Sequence, residues 1–439
     1  MTSMISNGFS HWLATAPNTR DSAKLDWLEA QRSAAREQCI GLELPTNKAE
    51  AWRYTNLKSL LEQDFTPAKA AIPALEGDDL DKIFIPELVS RRVVLINGRY
   101  VPELSALGDL PTGVHIGSLC ALLENDPDAV RSRFNQSAIH SPFIALNTAG
   151  FNDGVVVLFD CAAVLEQPIE LIHISTGMNQ PQVAQPRHLI VLGDGAQAML
   201  IERYIGLEDA VYCTNAVIEI ALGRDAVFRH ERLQMESAKA FHLTGLSLNQ
   251  DANSRYLGVN IGLGARWSRT ELVTQFIGEH AECDLQGLYL AGDGQLMDYH
   301  LDVTHAIPNC NSRENFKGIL YGKGRAVFDG RVLVAKDAQK SDAAMSNNNL
   351  MLSEGAEVDT KPQLEINADD VKCSHGTTVG QLDPEKLFYL RSRGISAPLA
   401  RRMLCLGFAG EIIHRLHEEV LRDYVTEQVG QRLESAPLN

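Results

Sequence analysis

The stretch HLIVLGDGAQAMLIERYIGLEDAVYCTNAVIEIALGRDAVF, residues 188–228, holds two short runs rich in branched and apolar residues, HLIVL and NAVIEIAL. Each run ends in a tight turn, LGDG at Gly193 and LGRD at Gly223. Runs of this composition bounded by Gly and Asp read as strands between turns. The pattern extends outward through GVVVLFDCAAV (154–164), ELVTQFIG (271–278), RAVFDGRVLVA (325–335) and KPQLEI (361–366). Further turn segments follow: NQDANSRY near Asp251, GEHAECD near Glu279, AGDGQLM near Gly292, YGKGRAVF near Gly322 and SEGAEVD near Gly355. Their spacing is roughly 28–30 residues, with some intervals near half that. This suits stacked solenoid coils better than a sandwich, whose strands recur about every 8–12 residues. Helical windows are nearly absent between 154 and 371, so the expected fold is mainly β, a parallel β-helix.

The flanks read differently. In DSAKLDWLEAQRSAAREQCIG (21–41), Leu25, Leu28, Ala35 and Cys39 recur at helical spacing, Asp21 or Ser22 can cap, and Gly41 stops the run. A second helix is predicted through AEAWRYTNLKSLLEQDF (49–65). RRVVLINGRYV (91–101) reads as a strand with a turn at Asn97-Gly98. After Gly394 the chain turns helical again: Ser396 can cap, Pro398 fits the first turn, and Leu399, Met403, Leu406, Ile413, Leu416, Val420 and Tyr424 form one apolar stripe. That stripe either docks a partner or packs inward. The domains expected are 1–90, helical; 91–385, the β-helix, with 91–153 as a transition; and 386–439, helical. A solenoid needs its ends covered, and the flanking segments are the caps to hand. A chain cut before Ser396 is expected to keep a folded solenoid.

Of the 439 residues, 56 are Asp or Glu and 40 are Lys or Arg, a formal charge of −16. That balance repels phosphate backbones and anionic bilayers, so neither nucleic acid nor a membrane is an expected partner. The N-terminus carries no basic segment followed by an apolar one, and no window approaches the roughly 18 apolar residues of a bilayer span. A cytoplasmic location is expected. The eight cysteines are scattered singly, without a CxxC pair, and read as reduced thiols.

No GxxxxGK[ST] loop is present, so the chain is not expected to bind ATP itself. In YHLDVTHAIPNCNS (299–312), His300, His305 and Cys310 are ligand types suited to zinc or iron. On one regular strand, however, an offset of five puts the two histidines on opposite faces, which favours hydrogen-bonded or interface histidines. In DDVKCSHG (369–376), Cys373 and His375 differ by two, share a face of an extended chain, and supply a thiolate and an imidazole to one soft metal. Gly376 is expected to end that strand. Two ligands fall short of the four of a closed site, so a partner must supply the rest. The alternative is a coil-lining Cys373 and a surface His375.

The long segment KGRAVFDGRVLVAKDAQKSDAAMSNNNLMLSEGAEVDTKPQLEINADDVKCSHGTTVGQLDPEKLFYLRSRGI (323–395) resembles the shared core of the SufB/SufD family, solenoid subunits of the SUF iron–sulfur assembly machinery. LPTNKAEAWRYTNL (44–57) and VLINGRYVPELS (94–105) are similar to the SufD branch of that family and not to SufB. The resemblance covers about Leu44 to Ala409. It implies a right-handed parallel β-helix with helical domains at both ends and a non-catalytic scaffold role. It also implies pairing with SufB through the solenoid and docking of the ATPase SufC on the C-terminal helical region, through Leu399, Met403, Leu406 and Ile413. A functional histidine in the KCSHG motif, here His375, would face a SufB cysteine, with a transient iron or iron–sulfur cluster between them; Cys373 matches the motif too. A homodimer is implied where SufB is absent. Two other readings remain: a SufB-like paralogue that holds a cluster itself, and a β-helix polysaccharide lyase, for which the chain shows neither an export signal nor a calcium pattern.

Overall fold

The computed structural model describes residues 25–40, 44–68, 75, 77–137, 139, 141–176 and 180–436. Asp21, Ser22 and Gly41, read as helix-end signals, lie outside them. From Arg187 onward the strands go alternately to two sheets. The first sheet takes Tyr212–Leu222, Phe241–Gln250, Trp267–Phe276, Leu296–His305, Arg325–Val334 and Glu357–Ile366. The second takes Gln197–Gly206, Val227–Met235, Arg255–Gly262, Glu282–Ala291, Asn311–Leu320, Asp342–Met351 and Lys372–Gly380. Each strand pairs in parallel with the strand one coil later, Phe241 with Trp267, Leu296 with Arg325 and Arg325 with Glu357. The result is a parallel β-solenoid of about seven turns.

Two rows of turns join the sheets, one along each long edge. On one edge Gly195, Asp225, Asn253, Asn309 and Lys340 all take positive φ, from 57° to 71°. The N–H of Gly195 donates to Arg224 O, that of Asp225 to Ala252 O and that of Asn253 to Glu279 O, so the bends themselves form a ladder. Gly, Asn and Asp tolerate this left-handed conformation best. GEHAECD lies on this edge and AGDGQLM, with Gly294 at φ 73°, on the other. That is why some intervals between turn segments are near half a coil.

Alternate residues of every strand point into the coil. Leu200, Ile220, Phe228, Leu248, Leu285 and Phe328 belong to one continuous interior core. Phe316 sits inside it with its ring 5.3 Å from both Tyr299 and Phe328. The N-terminal end of this core is plugged. Strand Arg91–Ile96 turns through Asn97 and Gly98, both at positive φ, into an antiparallel Arg99–Tyr100, and Tyr100, Leu107, Leu110 and Val114 pack against the core's first coil.

The sequence expectation for 49–65 is corrected. In place of one helix there is a single turn, Glu50–Trp52, and a four-residue helix, Lys58–Leu61. Outward-facing groups of the first sheet hold the segment. Arg269 lies over the Trp52 ring at 3.8 Å, the Thr55 hydroxyl donates to Asp298 at 2.5 Å, and the Asn56 side chain accepts from Lys58 N–H at 2.6 Å, which favours a turn.

Three helices close the chain, Pro384–Ser392, Ala397–Ile413 and Glu419–Ser435. The expected continuous stripe is interrupted by the turn between the last two. Cys405, Ala409, Ile412 and Ile413, with Leu421, Val425 and Val429, bury Ile201, Leu233, Ile261 and Ile319 on the outer face of the second sheet. Removing everything from Ser396 would uncover that apolar face, so an undisturbed truncated solenoid is not expected.

Candidate functional site at the open end of the solenoid

At the C-terminal end no further coil follows among the described residues. Strand Glu357–Ile366 pairs with Arg325–Val334 and strand Lys372–Gly380 with Asp342–Met351, and each is the last strand of its sheet among the described residues. In register, Cys373 lies opposite Ala343, His375 opposite Met345 and Thr377 opposite Asn347. Ala343, Met345 and Asn347 are buried inward-facing residues, so Cys373, His375 and Thr377 continue the coil's inner surface where nothing covers it. Ile366 and Val379 are 42% and 55% exposed there. Unpaired strand edges beside apolar side chains are a template for another chain.

Cys373 is half-buried and packs against the interior core, while His375 is exposed. Burial pushes the Cys373 thiol up, and the neighbouring carboxylates of Asp342 and Glu314 push the same way. The two side chains share a face, as their spacing predicts. Gly376 does not end the strand, which runs on to Gly380. With no coil beyond it, a Cβ at Gly376 would meet nothing within 4 Å, so the glycine interrupts no packing. His375 is at an edge because its strand is last, not because the strand stops.

His300, His305 and Cys310 are not brought together. Leu296–His305 is one regular strand, with His300 on the outer face and His305 inside. His305 Nε2 lies 3.0 Å from the Ser312 hydroxyl, and burial lowers the imidazole to about 4. His300 Nε2 sits 2.9 Å from Asp298 Oδ1, and the other oxygen of Asp298 accepts from Arg269 at 2.6 Å. The Cys310 thiol donates to Gly278 O at 3.3 Å.

A cluster the sequence reading missed lies deep inside. Donor atoms of His173, His188 and Glu202 lie within 4.8 Å of one another, all buried. They come from strands of different sheets, so no linear motif marks them. Val155 N–H donates to His188 Nδ1 at 3.0 Å, which places the His188 proton on Nε2 and leaves no lone pair there for a metal. Glu202 accepts from Tyr204 at 2.7 Å, from Arg232 at 2.8 Å and lies 3.1 Å from His230 Nε2. Glu202 is thus held by paired polar groups, and Arg232 keeps its carboxyl well below the usual range against the opposing effect of burial.

The phenyl ring of Phe388 is the most exposed of an apolar set with Tyr389, Leu399 and Met403, at 73%, 57%, 48% and 44%. Of the four residues expected at a docking face, Leu399 and Met403 are thus open to solvent, Leu406 is half-buried and Ile413 packs against the solenoid. No helix among the described residues is long and apolar enough to cross a membrane.

A family model described as the SufBD core domain of SUF-system FeS cluster assembly matches residues 173–408, and one described as the SufBD protein N-terminal region matches residues 7–171. The chain is 36% identical to the iron–sulfur cluster assembly protein SufD of Escherichia coli, over 90% of this chain and 91% of that one. It is 33% identical to an iron–sulfur cluster assembly SufBD family protein of Synechocystis, over 92% and 90%. It is 29% identical to the chloroplastic protein ABCI7 of Arabidopsis thaliana, over 92% and 85%. The two matched regions together make this chain a member of the SufB/SufD family of iron–sulfur cluster assembly proteins.

Proposed function

We propose that this chain is a non-catalytic scaffold subunit of a cytoplasmic SUF complex, which pairs with SufB through the open end of its solenoid and takes part there in building a nascent iron–sulfur cluster. The observation that carries this reading is the placement of His375 and Cys373 on the uncovered inner surface of the last coil. An imidazole and a thiol at that position reach outward to whatever covers the end, and both suit iron, here the cargo and not a resident cofactor. Two donors leave coordination positions open for groups from a second chain. The unpaired edges of both sheets supply backbone groups for the same contact, with SufB or, without it, with a second copy of this chain.

ATP hydrolysis belongs, in this reading, to SufC. The exposed Phe388, Tyr389, Leu399 and Met403 offer its docking surface, since large apolar side chains left in solvent are what a partner buries.

The test is co-expression with SufB and SufC. The three proteins are expected to purify together, and His375→Ala is expected to lose iron and sulfide from the complex while keeping its stoichiometry and ATPase rate. Cys373→Ala is expected to lower the iron and sulfide load less than His375→Ala does. A His375→Ala complex with a full iron and sulfide load would return His375 to an ordinary edge histidine.

A further inference from the structure

Inside the solenoid, buried acids are paired. Glu202 has Arg232, Tyr204 and His230, and Glu236 has His242 at 2.7 Å and Thr214 at 2.7 Å. Glu314 departs from this. Its residue is 1% exposed, it points inward from strand Asn311–Leu320, and neither carboxyl oxygen has a hydrogen-bond partner of acceptable geometry. Among the described residues it is the one acid with both oxygens so left. A buried polar group without a partner calls for an explanation in a native structure.

The ladder shows where a partner would come from. Glu314 pairs with Met345, and Met345 with His375, so acid and histidine stand in one column of the inner surface, two strands apart. The adjoining column runs Cys283, Ser312, Ala343, Cys373. Two strand spacings amount to about 10 Å between backbones, a gap that glutamate and histidine side chains leaning together span with an ion between them. Met345 stands between, but its thioether leans to the facing sheet, where a Cβ on Gly330 would lie 2.5 Å from Sδ.

We propose that Glu314 is the inner member of the end-face site: a carboxylate that supplies a third donor, or the balancing negative charge, for a divalent transition-metal ion held by Cys373 and His375. This rests on the function proposed above and adds a residue to it. A thiolate, an imidazole and a carboxylate suit Fe²⁺ and its close analogues. Burial pushes the carboxyl up to about 8 although the Ser312 hydroxyl and Arg313 favour its ionised form, so a cation bound there would displace its proton. The titratable groups around it are Cys283 from the preceding coil and Cys373 from the last strand, both in the adjoining inward column, with Asp284 and Arg313 close by on strand positions that alternate with the inward-facing ones.

The experiment uses the full chain and anaerobic Co²⁺ as the probe, read by thiolate-to-cobalt absorption. Wild type is expected to bind with that band, and Glu314→Gln to weaken binding about tenfold to a hundredfold, as loss of a supporting carboxylate does. An unchanged urea midpoint for Glu314→Gln at mildly acidic pH would show that the fold is intact. Wild-type affinity in Glu314→Gln alongside loss in His375→Ala would overturn the inference and leave the proposed function standing. No thiolate band in wild type would overturn the inference as well, since the chain alone would then lack the three-donor site. Binding that ignores both His375→Ala and Cys373→Ser would bring down the end-face site itself.

Discussion

Replacing Glu231 by Gln should make the attachment of the C-terminal helices insensitive to pH between 4.5 and about 7. Glu231 lies on the outer face of the second sheet, its side chain wholly buried, and one oxygen accepts the His417 N–H at 2.7 Å from the turn between the last two helices. Arg229, 3.7 Å away, is its nearest cation. Burial raises the carboxyl from 4.5 to about 7 even though His417 and Arg229 favour the ionised form. With the folded value above the unfolded one, the folded state binds more protons between them, so stability falls as pH rises. The contribution is whole below 4.5 and lost as pH passes about 7. A shift of this size corresponds to about 3 to 4 kcal/mol, or about three hundredfold in the opening equilibrium. Gln keeps a carbonyl for His417 and cannot ionise. Hydrogen exchange over Glu419–Ser435, corrected for intrinsic rates, should lose protection between about pH 5 and about pH 8 in wild type and stay level in Glu231→Gln. Equal pH slopes in the two proteins would refute the reasoning.

Two further outcomes follow from the packing. Phe388→Ser combined with Met403→Ser should abolish co-purification of SufC without lowering the thermal midpoint, because both side chains are exposed; unchanged recovery would place the docking surface elsewhere. Phe316→Ala should destabilise the solenoid by about 3–5 kcal/mol in urea unfolding, because a fully buried ring between Tyr299 and Phe328 leaves a cavity the two sheets cannot close.

The architecture was readable because each coil repeats a local necessity. A residue such as Asp225 or Asn253 must take a left-handed bend at the same edge, and the chain announces it with Gly, Asn and Asp about every 28–30 residues. His375 and Cys373 were readable for a similar reason: a separation of two in a strand fixes their shared face. The helix expected over 49–65 failed because its outcome depends on Asp298 and Arg269, more than two hundred residues away, which claim Thr55 and Trp52. Glu314 and the His173–His188–Glu202 cluster were illegible because they are products of stacking. Which residues meet across coils depends on a register that varies from 26 residues, as Phe241 to Trp267, to 32, as Arg325 to Glu357. The apolar stripe of the last helices was recognisable, but its two fates were not: one face serves the solenoid and the other remains outside.

The two ends of the solenoid differ. Tyr100, Leu107, Leu110 and Val114 stopper one, and the other ends on bare strands. A rod open at both ends would add neighbours without limit and grow into a fibre. A rod stoppered at one end has a valence of one along its axis. Whatever chain seats on Lys372–Gly380 and Glu357–Ile366 therefore ends growth in the act of joining, and if that chain is stoppered likewise, the assembly is complete at two rods. The plug of residues 99–114 thus sets a count, and it does so from the end of the molecule farthest from the contact being counted.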